Sequence, residues 1–76
     1  MNKIEIAKKR LEIVRLRNLA EWQINDFAQG HYRQAGKPIY PGQEDVCISK
    51  AQQAERFARE NLAKADLLEA ELAGVL

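Results

Sequence analysis

The chain has 76 residues, of which 46% are hydrophobic and 30% charged, and its net charge is +1. A chain of this length forms one domain, and two helices alone enclose little core, so we expect a second copy or another protein to complete it. A single cysteine and a single histidine exclude an internal disulfide and a protein zinc site, and no apolar run approaches the roughly 20 residues of a membrane span. The N-terminus mixes charged with apolar residues, unlike a secretory signal, so we predict a cytoplasmic protein without metal, cofactor or membrane.

The first helix is predicted to begin near Asn2 and to run to about residue 35. Asn2 is a good N-cap, and Glu5 three residues later completes a capping-box pattern. Gly30 is one possible end of this helix, as a left-handed cap, but the apolar spacing continues beyond it. We therefore favour the longer helix, which ends at Ala35 and is followed by Gly36.

Two apolar stripes run along the first helix at helical spacing. The stripe predicted to face the second helix consists of Ile4, Ala7, Leu11, Val14, Trp22, Ala28 and Tyr32. The other stripe has no partner within a two-helix chain, so it is predicted to form a homodimer, a four-helix bundle, or to receive a different protein. This predicted dimer interface consists of Ile6, Ile13, Leu16, Ala20, Ile24 and Phe27, together with Leu67 of the second helix.

The connection is predicted to span about residues 36–48. Tyr40-Pro41-Gly42-Gln43 has proline and glycine at the central positions of a type II turn. The second helix is predicted over about 49–75, with Ser49 as its N-cap and Gln52 three residues on. The fold class is therefore all-α, an antiparallel two-helix hairpin with a long ordered connection.

Folding the chain near residue 40 brings the two helices into an antiparallel register. Ala28 then lies opposite Ala51, and Asn18 lies opposite Asn61. A buried amide pair would help to fix this register, whereas the alternative places both asparagines at the solvent margin.

Charge is unevenly distributed along the chain. Residues 1–17 carry six cations and two acids, whereas residues 44–76 carry seven acids and four cations. The antiparallel hairpin would lay the basic start of the first helix beside Asp66, Glu69 and Glu71. Most of the asymmetry is then explained without a nucleic-acid partner.

The connection is the best candidate in the sequence for a specific site. In one interpretation, aliphatic residues such as Ile39 and Val46 fold back to plug the open end of the hairpin. In the other, an outward patch of tyrosine and basic side chains binds a partner, since these residue types are common at interface hot spots. The predicted patch consists of Tyr32, Arg33, Lys37 and Tyr40. Both interpretations can hold together.

No catalytic arrangement is visible in the sequence, and we predict that the protein is not an enzyme. The chain has no phosphate-binding glycine motif and no nucleophile with a base at a defined spacing. His31 is interpreted as a partner of a helix dipole. Cys47, between two aliphatic residues, is predicted to be small, apolar and buried.

The leading functional hypothesis is a protein–protein interaction module that binds a larger protein. The small size of this chain and its lack of catalytic motifs are typical of small regulatory or inhibitory proteins of bacteria and their phages. One alternative is a nucleic-acid-associated regulator that uses Lys3, Arg10 and Arg17 on one side of the first helix. A further alternative is a structural subunit of a larger assembly.

Overall fold

A computed structural model describes residues 1–75 and has the predicted all-α architecture, two helical arms packed antiparallel as a hairpin. The N-terminal arm consists of α1 (Lys3–Trp22), a π-helical segment (Gln23–Ala28) and α2 (Gln29–Ala35), which follow one another without a break. The C-terminal arm is one long helix, α3 (Gln43–Val75). The arms therefore run side by side over most of their length.

The hairpin is elongated and its core is thin. The Cα trace measures 55 × 14 × 12 Å and has a radius of gyration of 16.8 Å, against about 11 Å for a compact domain of this length. No large side chain is fully buried within residues 1–75. The buried apolar residues are Ile13, Ala20, Ala28, Cys47, Ala51, Ala54, Ala58, Ala65 and Leu72. Because most of them are alanines, the arms lie close together but bury little apolar area.

Both predicted ends of the N-terminal arm are confirmed. The Asn2 Oδ1 atom accepts a hydrogen bond of 2.8 Å from the Glu5 N–H, as an N-cap does. The arm ends at Ala35, and the Gly36 N–H donates back to the carbonyls of the last turn. Gly36 has φ −72° and ψ −14°, so the helix ends without a left-handed residue. Gly30 lies inside α2.

The predicted turn at Tyr40–Gln43 is also confirmed. The Gln43 N–H donates to the Tyr40 carbonyl over 3.2 Å, and Gly42 has φ +86°, the conformation that the third residue of a type II turn requires. The predicted helix start at Ser49 is wrong, because α3 begins directly after this turn. The Val46 N–H already donates to the Gly42 carbonyl over 3.3 Å, and nothing in the following residues interrupts the helix.

The face of the N-terminal arm that packs on α3 differs from the prediction. Ile13 is 7% exposed and lies in a cluster with Ala65 and Leu72, whereas its neighbour Val14 is 53% exposed. The first half of the predicted inner stripe therefore faces outward. The predicted dimer interface is wrong for Ile13 and Ala20, which are buried inside the hairpin. Ile6 and Leu16 are partly buried beside this core, and their place in a dimer interface stays a prediction. Ile24, which the same prediction placed on the dimer face, is half-buried.

The π-helical segment explains this exchange of faces. Its i to i+5 hydrogen bonds close a wider turn than the i to i+4 bonds of an α-helix, so the segment accommodates one extra residue. After the segment, Ala28 packs on Ala51, as predicted. In α1, which precedes the π-helical segment, each residue that faces α3 is one position earlier in the sequence than a regular helix would require. Ile13 therefore takes the inward position that was predicted for Val14. The prediction assumed an uninterrupted helical period.

The predicted charge complementarity between the arms is confirmed. Lys9 Nζ lies 2.7 Å from a Glu71 carboxylate oxygen. Arg17 forms ion pairs with Asp66, at 3.5 Å, and with Glu69. All of these groups are at least partly exposed to solvent, which screens their charges, so each pair alone contributes little to stability. Together they favour the antiparallel arrangement over a parallel one.

The predicted pairing of Asn18 with Asn61 does not form. Asn18 is exposed, and the Asn61 Nδ2 atom instead donates a hydrogen bond of 3.1 Å to Gln23 Oε1. Gln23 is the first residue of the π-helical segment. The shift of register therefore replaces one amide partner with another and ties the start of that segment to α3.

Candidate functional site

The most distinctive surface feature is an open cavity of about 480 Å³ between the π-helical segment and α3. Three of the chain's five aromatic residues line it. Trp22 is 49% exposed, Phe27 37% and Phe57 47%. Exposing this much aromatic surface in one place is costly in water, and such patches commonly mark binding sites. The cavity and its lining residues are called the aromatic groove below.

The π-helical segment is what brings the aromatic side chains of the N-terminal arm together. Trp22 and Phe27 are five residues apart, which in an α-helix would put them on different sides. The wider turn places them in contact, with ring centroids 5.4 Å apart and tilted by 51°. Phe27 in turn contacts His31 edge-on at 4.5 Å. The result is a continuous row of three rings along one wall of the groove.

The opposite wall is contributed by α3. Phe57 and Ala54 supply apolar surface, and Lys50 and Gln53 supply polar groups. Ala54 is buried against the N-terminal arm and forms the floor. Since α3 is a single regular helix over this stretch, the groove has one rigid wall and one wall shaped by an irregular segment. Its chemistry is that of an apolar slot with one cation and amide groups at its rim.

His31 lines the aromatic groove beside Phe27. It lies within α2 rather than after a helix end, so the dipole interpretation does not apply as predicted. Its Nδ1 atom is buried and has no hydrogen-bond partner among the described residues. Its ring packs against Phe27. The position is that of an aromatic wall residue.

The predicted plug at the open end of the hairpin is wrong. Ile39 is 83% exposed, and Val46 is also exposed. The connection is shorter than predicted because α3 begins early, so Val46 is held in the first turn of a helix. The Gln43 side chain takes the inward position instead, where it is buried and accepts a hydrogen bond from the Ile39 N–H.

The predicted partner-binding patch is divided by the structure. Arg33, Lys37 and Tyr40 are exposed. Tyr32 is half-buried on the core, and its hydroxyl donates a hydrogen bond to the Glu55 carboxylate. That bond, burial and the nearby negative charge raise the pKa of Tyr32 above its ordinary value of 10.0. Tyr32 therefore joins the arms, while a binding role for the other three stays a prediction.

The cations proposed for nucleic-acid binding also differ in their surroundings. Lys3 and Arg10 are exposed. Arg17 is held by Asp66 and Glu69, and hydrogen bonding to Glu69 is the main cause that raises its pKa. A cation held in this way carries less free charge toward a phosphate.

Within residues 1–75, no helix is long and apolar enough to cross a membrane. Across the same residues, His, Cys, Asp and Glu side chains form no group of three or more that could hold a metal. Cys47 is buried, as predicted.

The aromatic groove was missed from the sequence, although a signal for it was present. Inward residues recur every seven positions at Ile6, Ile13 and Ala20, and the next one, Ala28, follows after eight. An extra residue in an otherwise regular spacing is the mark of a π-helical segment, and such segments often occur at functional sites.

Comparison with known proteins gives no relative to draw on. No protein-family model, curated protein or solved structure matches this chain.

Proposed function

We propose that the hairpin is a small non-enzymatic protein–protein interaction module that regulates or inhibits a larger protein. The aromatic groove is the surface that binds this partner. The observation that carries the proposal is the clustering of half-exposed Trp22, Phe27 and Phe57 around one cavity. Tryptophan and phenylalanine are enriched in the buried centres of protein interfaces, where they contribute large contact areas at a low cost in side-chain entropy.

The size of the groove indicates what part of a partner enters it. A volume of about 480 Å³ accommodates one or two large apolar side chains, and the groove opens along the arms rather than closing over a ligand. An apolar segment of a larger protein fits such a surface, in the way that an amphipathic helix fills a hydrophobic groove. Lys50, at the rim, favours a carboxylate or a helix C-terminus beside that segment.

The proposal is tested by capture of partners with tagged protein from nuclease-treated and untreated host lysate. We expect one larger protein to be retained in both samples. Phe57→Ala removes one wall of the groove and is expected to reduce its recovery about tenfold or more, since hot-spot residues contribute about 2 kcal/mol or more. Tyr40→Ala, an exposed aromatic change in the connection, is the matched control and is expected to retain the partner. Loss with Tyr40→Ala alone would instead assign binding to the predicted patch.

Dimerisation into a four-helix bundle is a second proposal, and it is supported by the thin core. Few large side chains are buried in the hairpin, and many remain half-exposed. A dimer would have to use the part of the predicted interface that stays exposed, such as Phe27 and Leu67. Light scattering coupled to gel filtration tests this directly, and a monomer at high concentration would refute it.

The nucleic-acid alternative is tested by the same capture experiment. It predicts that recovery of partners vanishes after nuclease treatment and falls steeply with salt. It also predicts that changing Arg10 weakens binding more than changing Arg17, because only Arg17 is held in ion pairs.

A further inference from the structure

A second unpartnered surface lies on the side of α1 that does not pack on α3, and at Arg10 and Val14 it borders an open cavity between the two arms. Its centre is a heptad seam with apolar residues at the a and d positions and one asparagine at an a position. All of its members are exposed. The seam consists of Ile4, Ala7, Leu11, Val14 and Asn18. The width of two positions in seven is that of a coiled-coil contact rather than of a helix that faces a globular core.

Every position that flanks this seam carries a cation. The g positions are Lys3, Arg10 and Arg17, and the e positions are Lys8 and Arg15. Arg17 is already paired with acids of α3, which leaves four exposed cations as a basic rim. Of the acids of α1, Glu5 and Glu12 occupy b positions, and Glu21 lies at the d position after Asn18, where the apolar seam has ended. In coiled coils the e and g residues choose the partner by charge.

The basic rim disfavours binding of a second copy of this chain to the seam. Two identical seams would place cations opposite cations, which is destabilising. The acids toward the C-terminal end of α3 are already neutralised, because Glu71 pairs with Lys9, and Asp66 and Glu69 pair with Arg17 in the same molecule. Self-association through this surface is therefore opposed by charge.

The apolar seam disfavours two other kinds of partner, a nucleic acid and a membrane surface. A nucleic-acid backbone on the rim would press phosphates toward Leu11 and Val14, which offer them no hydrogen bond. A membrane-surface helix needs a broad apolar face, and here the opposite side of α1 is taken up by packing on α3. A row of apolar side chains between two rows of cations matches an α-helix of reversed charge.

We propose that the outer seam of α1 docks an acidic amphipathic helix of a partner protein, with apolar residues at a and d and Asp or Glu at e and g. Asn18 would select a polar a position in that helix and so fix its register. This surface shares no residue with the aromatic groove, whose lining begins at Trp22, one turn after Asn18. The inference therefore goes beyond the function proposed above and stands or falls separately from it.

The test uses the full chain and two labelled synthetic peptides of about four heptads. Both peptides have leucine at a and d, and they carry either Glu or Lys at every e and g position. Binding is measured by fluorescence anisotropy at low salt. We expect the Glu peptide to bind about 16-fold more tightly than the Lys peptide, which is about twofold for each of the four rim cations. We also expect its affinity to fall as salt rises.

Charge reversal separates docking from a structural effect. In the triple variant Lys8→Glu, Arg10→Glu and Arg15→Glu, the Lys peptide is expected to bind more tightly than the Glu peptide, an inversion that unfolding cannot produce. Phe57→Ala, in the groove, is the control and should leave both affinities unchanged. Leu11→Gln is a second variant, on the exposed seam, and should weaken both peptides about tenfold while keeping the preference for Glu.

The opposing results are equally defined. Equal affinity for the two peptides, or a preference that survives the charge reversal, would overturn the proposal. So would binding of a DNA duplex or of anionic phosphatidylserine vesicles under conditions where the Glu peptide does not bind.

Discussion

Replacing two adjacent residues of α1 tests which face of the N-terminal arm packs on α3. Ile13 and Val14 are neighbours in the chain and both are β-branched, yet one is buried and the other is half-exposed. A regular helical period predicts the reverse assignment. Ile13→Ala and Val14→Ala therefore form a matched pair, since each gives a similar gain in helix propensity of about 0.5 kcal/mol.

The expected magnitudes follow from burial. Ile to Ala substitutions in cores cost about 2–5 kcal/mol, and the lower end applies to Ile13 because a two-helix core is thin and can partly collapse. We expect a loss of about 2 kcal/mol, or about 8–16 °C in Tm. Val14→Ala removes methyl groups that are already about half exposed to water, so the lost burial costs somewhat under 1 kcal/mol. The gain in helix propensity offsets most of this cost, and Tm should change by only about 3 °C.

The assay is thermal unfolding followed by far-ultraviolet circular dichroism at one fixed protein concentration, because any self-association makes Tm concentration-dependent. If Val14→Ala were as destabilising as Ile13→Ala, or more so, the register described for α1 would be refuted.

Three further predictions concern the irregular parts of the hairpin. Gly42→Ala should destabilise the fold by about 1 kcal/mol because φ is +86° at this position. Gly30→Ala lies inside α2 and faces open space, so it should stabilise the fold by about as much. Chemical denaturation measures both changes in the free energy of unfolding, and equal effects would contradict the turn. Deleting Asn25 should turn the π-helical segment into regular α-helix and leave Tm nearly unchanged. One alanine inserted in the middle of α1 should instead rotate the preceding residues by about 100° and unfold the arm. An equal loss of Tm in both variants would argue against an extra residue in the π-helical segment. The hydrogen bond to Glu55 raises the pKa of Tyr32 in the folded protein. The contribution of this bond to stability is therefore complete below about pH 10, and it is lost as the pH rises through the raised pKa. Tyr32→Phe should therefore show a smaller loss of stability in denaturation titrations above pH 10, and an unchanged pH profile would contradict the contact.

Local features of the structure were predictable because short-range chemistry determines them. The Asn2 cap, the turn around Gly42 and the end of the arm at Ala35 all follow from a few neighbouring residues. The burial of Cys47 follows from its apolar neighbours. The antiparallel arrangement followed from folding the chain at the connection, and the summed charges of the two helices agreed with it. Neither argument is sensitive to a small error of register.

Features that depend on the helical period over a long distance were not predictable in the same way. One extra residue in the π-helical segment rotates everything before it, so a prediction that was right at Ala28 was wrong at Val14. The early start of α3 has a different cause. Ser49 is a strong capping residue, but the turn at Gly42 already directs the chain into a helix, and a cap has no effect inside one.

The predicted partner-binding patch and the aromatic groove have no residue in common, for the same reason. Trp22 and Phe27 were assigned to different stripes, one inward and one outward, because five residues separate them. The π-helical segment brings them into contact. The connection attracted attention through its tyrosines, whereas the structure places the larger aromatic cluster further along the arms.

Site-specific photo-crosslinking in host cells tests the central claim most directly. A benzophenone amino acid replaces either Phe57, in the aromatic groove, or Tyr40, in the connection, and both positions are about half-exposed. The account predicts an adduct with one larger protein from position 57 and little or none from position 40. An adduct with that protein from position 40 and none from position 57 would contradict it.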